Sequence, residues 1–247
     1  MKLSFPDREK YKYFYEAAAE NYSPEGDLLL YKDDRFFNIR NFIRKEIEDR
    51  QRPLVILDVG CGNGWLMAPF AGGNEVYGLD ISEANVNKAR KKGIKARLHD
   101  VETPFPFVQN FFDVVVCSEV LEHLFFPEGV LREINRVLKS GGLCIITVPN
   151  LYSLRNRFKM LVGRDCSYVE YPQNKEHIRH YSISGMKALL RKAGLKVEYI
   201  RGQSWVMNFR WPFKLIWLLH GGNRGLKLFI RIVTLGKVKA RIPGIML

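Results

Sequence analysis

Three glycines, Gly60, Gly62 and Gly64, alternate along 58-DVGCGNG-64, and Asp58 stands two residues before the first of them. A loop without side chains lets the backbone turn tightly and come close to a nucleotide-like ligand. Two more acids, Asp80 and Asp100, end the runs 75-EVYGLD-80 and 95-KARLHD-100. A second group gathers Glu119, Glu122 and His123 in 118-SEVLEHL-124, with His177 far downstream. On a helix the first three stand at i, i+3 and i+4, hence on one face. Imidazole titrates near neutrality, which suits a general base.

The ligand of the glycine loop follows by elimination. A triphosphate loop needs G-x-x-x-x-G-K-[ST], and no Lys follows Gly64. A dinucleotide fingerprint needs a third glycine where this chain has Trp65. Asp58 would also repel a pyrophosphate, whereas it could hold a cationic amino-acid group, directly or through water. Asp80 lies 20 residues after Gly60, where a carboxylate can accept both hydroxyls of a ribose. Asp100 can accept from an adenine amino group. A ribose, an adenine and a cationic tail describe S-adenosylmethionine. The bland reading is that Asp58 and Asp100 merely cap turns.

The elements that carry these residues alternate. Strands are expected at 54-LVILDV-59, 75-EVYGLD-80, near 95-KARLHD-100, at 112-FDVVVCS-118, 142-GLCIITVPN-150 and 195-LKVEYIRG-202. Helices are expected from about Trp65, over 83-EANVNKARKKG-93 capped by Ser82, over 128–142 opened by Pro127, and over 183-ISGMKALLRKAG-194 after Ser182. Phe36, Phe37, Ile39, Ile43 and Ile47 mark a further helix before Pro53. Strand–helix alternation with near-continuous apolar strands implies an α/β fold: a doubly wound, mostly parallel sheet with helices on both faces. The expected divisions are a helical N-terminal cover (1–50), a core (51–202) with an irregular insertion at about 151–181, and a basic, aromatic C-terminal appendage (203–247).

The chain resembles the seven-stranded, Rossmann-like S-adenosylmethionine-dependent methyltransferases. The likeness runs over roughly 36–200 and rests on 55-VILDVGCGNG-64, 79-LD-80, 99-HD-100, 112-FDVVVCSEVLEHL-124 and 139-KSGGLCIITVPN-150. It implies a seven-stranded sheet and methyl transfer by in-line displacement at a sulfonium. The cofactor set expected from motif and resemblance together is Asp58, Gly60, Cys61, Gly62, Gly64, Asp80, Ile81, Asp100, Val101, Ser118 and Glu119. No [DN]-P-P-[YF] follows the fourth strand, which argues against the branch that methylates adenine or cytosine amino groups. The E-V-L-E-H run and 177-HIRHYSISGMKALLRKAGLKV-197 resemble the branch acting on small molecules, quinone precursors, lipids and glycans.

Three roles stay open for the acid–histidine group. His123 or His177 could serve as general base. By resemblance, an E-x-x-E-H set with a later His can hold a divalent metal, although no metal ligand is assigned at this level. The third role is structural, with both glutamates bonding backbone and His123 packed under the insertion. The reading is an S-adenosylmethionine-dependent methyltransferase acting on a small or lipid-linked acceptor, with oxygen as the expected atom. The alternatives are an RNA methyltransferase and an inactive methyltransferase-like subunit.

Charge narrows the partners. The net charge is +13, yet residues 201–247 hold nine Lys/Arg and no Asp or Glu, leaving the first 200 residues at +4. One basic end suggests a localised anionic partner. Trp205, Trp211 and Trp217 interleave there with Lys and Arg, and Leu228, Ile232 and Leu235 fit one face of a helix over 225–236. That pattern suits an anionic membrane surface reached through 203–247, with a nucleic acid less favoured. The alternative is a lid over the active site. The four cysteines form no C-x-x-C pair, and Cys117 and Cys144 fall in apolar strands, which suits a reducing compartment. Residues 1–14 lack the apolar core of a signal peptide, so the expected place is cytoplasmic, at the inner membrane face. Oligomeric state is not legible.

Overall fold

The computed structural model describes residues 34–164, 177–203 and 227–234. Helix α1 (Asp34–Arg50) repeats Ile39, Ile43 and Ile47 every four residues, and Ile39 and Ile43 are fully buried. This apolar stripe docks the helix on the sheet. The sheet strands are β1 (Val55–Val59), β2 (Glu75–Asp80), β3 (Lys95–Leu98), β4 (Phe112–Ser118), β5 (Leu138–Pro149), β6 (Leu195–Gln203) and β7 (Lys227–Thr234). The intervening helices are α2 (Glu83–Arg90), α3 (Pro127–Val137), α4 (Leu154–Leu161) and α5 (Ile183–Lys192).

The strands lie in one sheet ordered β3-β2-β1-β4-β5-β7-β6. The first five are parallel, and β7 runs antiparallel to both β5 and β6. Strand order reverses between β1 and β4, so the crevice beyond their carboxyl ends is where a ligand belongs. Both faces are covered, because side chains alternate along each strand. Leu57, Val59, Val115, Cys117 and Ile146 pack with α3 and α5, while Ile56, Val114, Val116 and Ile145 pack with α1 and α2. Cys61, Cys117 and Cys144 are buried free thiols.

Several expectations are corrected. The helix expected over 225–236 is strand β7 from Lys227 to Thr234. Leu228, Ile232 and Leu235 do fit helical spacing. But the run is almost continuously apolar, with β-branched Ile230, Ile232, Val233 and Thr234, and such a run fits both periods. Edges of β5 and β6 supply backbone partners on both its sides, which decides for the strand. The segment 203–247 is therefore not wholly an appendage, and the division at 202 cuts through the sheet. The helix expected from Trp65 is a series of turns around a 3-10 helix, Ala68–Phe70. Gly72 and Gly73 follow at once and give it no means to continue. Strand β3 stops at Leu98, so Asp100 sits in the turn beyond it. Residues 1–33, residues 165–176 of the insertion and the three tail tryptophans lie outside the described residues. Among the described residues no helix is long and apolar enough to cross a membrane.

Candidate active site

Gly60, Gly62 and Gly64 all have positive φ, at 71°, 52° and 76°. Two of them also permit close approach. A Cβ on Gly60 would lie 2.4 Å from Val120 Cγ2, and one on Gly64 would lie 2.9 Å from the Ala89 Cα. The loop is thus wedged between the turn after β4 and helix α2. Trp65 has a different use from the glycine it replaces. The Arg40 guanidinium lies 4.2 Å from its ring centroid and donates to the Trp65 and Leu66 carbonyls at 3.0 and 3.3 Å. Phe36 meets the same ring edge-on at 5.1 Å. Through these contacts α1 steadies the glycine loop.

Asp80 ties the loop to the next element. Its Oδ2 accepts from the Gly62 N–H at 2.7 Å and its Oδ1 from the Ser82 N–H at 2.9 Å. Ser82 in turn caps α2, accepting from the Asn85 N–H at 3.2 Å. The Asp80 side chain also lines the cleft beyond the strand ends. Asp58 is only 2% exposed. Burial pushes its carboxyl well above the usual range, and the neighbouring Asp80 charge adds to this. A buried acid with a raised pKa beside a second acid is a site where a cation is welcome. Cys61 is packed against Gly78, whose added Cβ would lie 2.6 Å from the Cys61 Sγ. Burial and the charges of Asp58 and Asp80 push its thiol up, which disfavours the thiolate.

Among the described residues Glu119 is the one non-glycine residue with a positive φ at this end of the sheet, at 57°. It is over-determined by Thr147 on β5. The Glu119 N–H donates to the Thr147 carbonyl at 3.0 Å, and the Thr147 hydroxyl donates to the Glu119 carboxylate at 3.0 Å. Ser118 Oγ joins the same hydroxyl at 2.8 Å. This left-handed residue interrupts the chain, so Glu119, Glu122 and His123 do not share a helical face. The helix expected there is a single 3-10 turn, Leu121–His123. Glu119 lines the cofactor cleft, whereas Glu122 does not.

Glu122 and His123 instead meet His177. Donor atoms of the three lie within 4.8 Å of one another, and the two imidazole centroids are 4.9 Å apart. The segment after His177 is bonded along this turn. The Glu122 carbonyl accepts from the Ile178 and Arg179 N–H groups, both at 3.0 Å. The Arg179 guanidinium donates to the Leu124 and Phe125 carbonyls at 3.2 and 2.6 Å, and the Tyr181 hydroxyl donates to the Leu121 carbonyl at 2.9 Å. One divalent cation could be held by Glu122, His123 and His177, all ordinary ligand types.

The cleft at the carboxyl ends of β1, β2 and β4 is lined by Gly60, Asp80, Ile81, Asp100, Val101 and Glu119 from the expected cofactor set, and by His123. Asp58, Cys61, Gly62, Gly64 and Ser118 do not line it; Asp58 lies buried near Asp80, and the others hold the loop or the strand ends in place. Asp100 turns its own loop, with Oδ1 accepting from the Glu102 N–H at 2.9 Å. The sequence reading missed Asn85, His99, Glu102 and Val120 in the lining, and Thr147, Arg179 and Tyr181 behind it. Arg179 and Tyr181 had a signal, since both stand in the 177-HIRHY-181 run. Thr147 had none, because it looks like any β-branched residue of a buried strand.

Comparisons with known proteins agree with this geometry. A family model described as a methyltransferase domain matches residues 31–200. A probable S-adenosylmethionine-dependent methyltransferase of Mycolicibacterium smegmatis is 30% identical over 173 residues, covering 68% of this chain and 62% of that protein. A ubiquinone biosynthesis O-methyltransferase of Thiobacillus denitrificans is 29% identical over 176 residues, covering 67% of this chain and 75% of its own. Among solved structures, a methyltransferase from Bacillus halodurans superposes with a TM-score of 0.57 at 20% identity, over 77% of this chain and 97% of that one. The fold, the glycine loop tied to Asp80 beside a buried Asp58, and a family match over more than half its length lead to one conclusion: the chain belongs to the class I, Rossmann-like methyltransferases and is an S-adenosylmethionine-dependent enzyme.

Proposed function

We propose that this methyltransferase methylates an oxygen of a small or lipid-linked acceptor, with His123 and His177 serving deprotonation. The observation that carries the proposal is the imidazole pair, 4.9 Å between centroids, of which His123 lines the cofactor cleft. S-adenosylmethionine supplies the activated methyl group. The glycine loop and Asp80 would fix its nucleoside, and Asp58 would favour its cationic end. As the acceptor oxygen bonds to the methyl carbon, the carbon–sulfur bond would break and release the neutral thioether S-adenosylhomocysteine, and the acceptor's proton would pass to His123, an imidazole of the cleft lining that stands beside His177. The remaining work is alignment and exclusion of water. The relationship to ubiquinone O-methyltransferases supports oxygen as the atom.

A methyl-transfer screen with labelled donor tests this, using lipid extract, soluble metabolites and RNA as acceptors. Label entering only RNA would overturn the small or lipid-linked acceptor. His177→Ala with unchanged kcat would remove His177 from the mechanism. The grouping of Glu122, His123 and His177 favours a second reading, in which they hold a divalent cation that lowers the acceptor's pKa. Chelation followed by readdition of Mg²⁺, Mn²⁺ or Zn²⁺ separates the two readings, since a metal-free base keeps its turnover after chelation. Membrane contact through 203–247 stays a proposal, because apart from β7 that segment lies outside the described residues.

A further inference from the structure

The carboxyl end of the sheet, where the cleft opens, carries exposed apolar side chains. Helix α4 begins five residues after β5 ends at Pro149, and its outer surface is Phe158 at 64% exposure and Leu161 at 82%. Val162 follows at 51%, and Tyr152 precedes it at 46%. The helix itself is well made. The Ser153 hydroxyl caps it, accepting from the Asn156 N–H at 3.3 Å, and Ser153 and Asn156 are buried beneath it. Gly163, at φ 69°, closes its far end. Among its described side chains Asn156 is buried while Arg157, Phe158, Met160 and Leu161 are exposed, so the outer face joins bulky apolar groups to a cation.

The surrounding charge identifies what the face meets. Residues 150–164 contain Arg155, Arg157, Lys159 and Arg164 and no acid. Arg157 and Arg164 are exposed. Bulky apolar groups flanked by cations on one short helix fit the boundary between acyl chains and anionic headgroups. A folded protein partner would not call for four cations and no acid. A nucleic-acid groove would not call for exposed Leu161 and Val162, which offer neither stacking nor hydrogen bonds. Two more exposed apolar residues belong to this end, Phe126 just before α3 and Ile178 on the segment bound to Glu122.

We propose that α4 and its closing turn form an interfacial helix that seats the cleft-bearing end of the sheet on an anionic bilayer. An acceptor held in that bilayer would then reach the cleft without crossing bulk water. The inference goes beyond the proposed function, because it rests on 150–164 and would stand for a soluble acceptor too.

The test is flotation of the full chain with vesicles of phosphatidylcholine alone and with about one third phosphatidylglycerol. The wild type is expected to float with the anionic vesicles and to be released by salt. Phe158→Ser with Leu161→Ser should lower the bound fraction about tenfold, as should Arg157→Glu with Arg164→Glu, on the usual scale of interfacial burial and surface charge. Melting temperature and calorimetric S-adenosylmethionine affinity should stay unchanged in both variants, since these side chains face outward. Failure of the wild type to float at low salt overturns the proposal. So does flotation of both variants at the wild-type level, which would move the contact to 203–247. A clear fall in melting temperature for the apolar variant also overturns it, by showing the face covered within the folded chain. A wild type that binds RNA on filters and not vesicles sinks it in favour of a nucleic-acid surface. Flotation without label entering lipid extract keeps this inference and removes only the lipid-linked acceptor.

Discussion

The Thr147 hydroxyl donates to the Glu119 carboxylate at 3.0 Å, joining the middle of the site to a neighbouring strand. The same residue's carbonyl accepts from the Glu119 N–H, so one threonine sets both the backbone and the side chain of a left-handed residue. Thr147→Val keeps the shape and the backbone bond and removes the hydroxyl. A hydrogen bond to a charged group is worth roughly 1.5–3 kcal/mol, so S-adenosylmethionine affinity should fall about tenfold or more. Calorimetry decides; affinity within twofold of wild type would show that Glu119 needs no such support.

Gly64→Ala sets a methyl group against backbone. The added Cβ would lie 2.9 Å from the Ala89 Cα of α2, and the residue keeps φ 76°. Strain of this kind costs on the order of 1–3 kcal/mol. About 2 kcal/mol corresponds to a melting temperature lower by roughly 4–8 °C in a chain of this size. Gly62, with nothing within 4 Å of its would-be Cβ, provides the contrast. Gly62→Ala, strained only in its backbone, should lose less, and equal losses would mean that contact with α2 contributes nothing.

If Asp58 faces the cationic end of the cofactor as proposed, binding is expected to be linked to a proton. Its pKa is raised in the ligand-free protein by burial, then by Asp80. A sulfonium and an ammonium arriving nearby favour the carboxylate and lower that pKa. Binding should therefore release a proton, and affinity should increase with pH up to the raised pKa. Calorimetry in buffers of different ionisation enthalpy reads the proton directly. Asp58→Asn should abolish the release, and a wild type that releases none would place the cationic end elsewhere.

Asp113, at the opposite ends of the strands, governs acid stability. Its side chain is fully buried; burial alone would raise its pKa, but Arg52, the Val55 N–H and Lys139 together hold it well below the usual carboxylate range. Arg52 bonds it at 2.7 and 3.1 Å, Lys139 at 3.0 Å and the Val55 N–H at 3.0 Å. A depressed pKa contributes stability that is present above the unfolded value, about 3.9, and lost as pH falls toward the folded one. Asp113→Asn should cost about 3 kcal/mol at pH 7, the scale for breaking a buried pair. It should also flatten the decline in urea midpoint below about pH 4. A variant whose midpoint still falls as steeply as wild type there would assign the acid sensitivity to other carboxylates.

Much of this protein is written locally. Alternating glycines after an apolar strand, an acid at the end of β2 and the Ser82 and Ser182 caps depend on neighbours within a few residues, so the sequence alone determines the nucleoside-binding loop, the parallel core and the methyl donor. Two things were decided only by tertiary structure. The run 227-KLFIRIVT-234 is apolar at both helical and strand spacing, and only the open edges of β5 and β6 make it a strand. In 118-SEVLEHL-124 the intrinsic pattern is helical, but Thr147 holds Glu119 left-handed, and the 177–181 segment binds the carbonyls of Leu121, Glu122, Leu124 and Phe125. Those long-range hydrogen bonds separate Glu119 from Glu122 and bring His123 to His177. Local propensity cannot encode them, because each partner lies between 28 and 60 residues away.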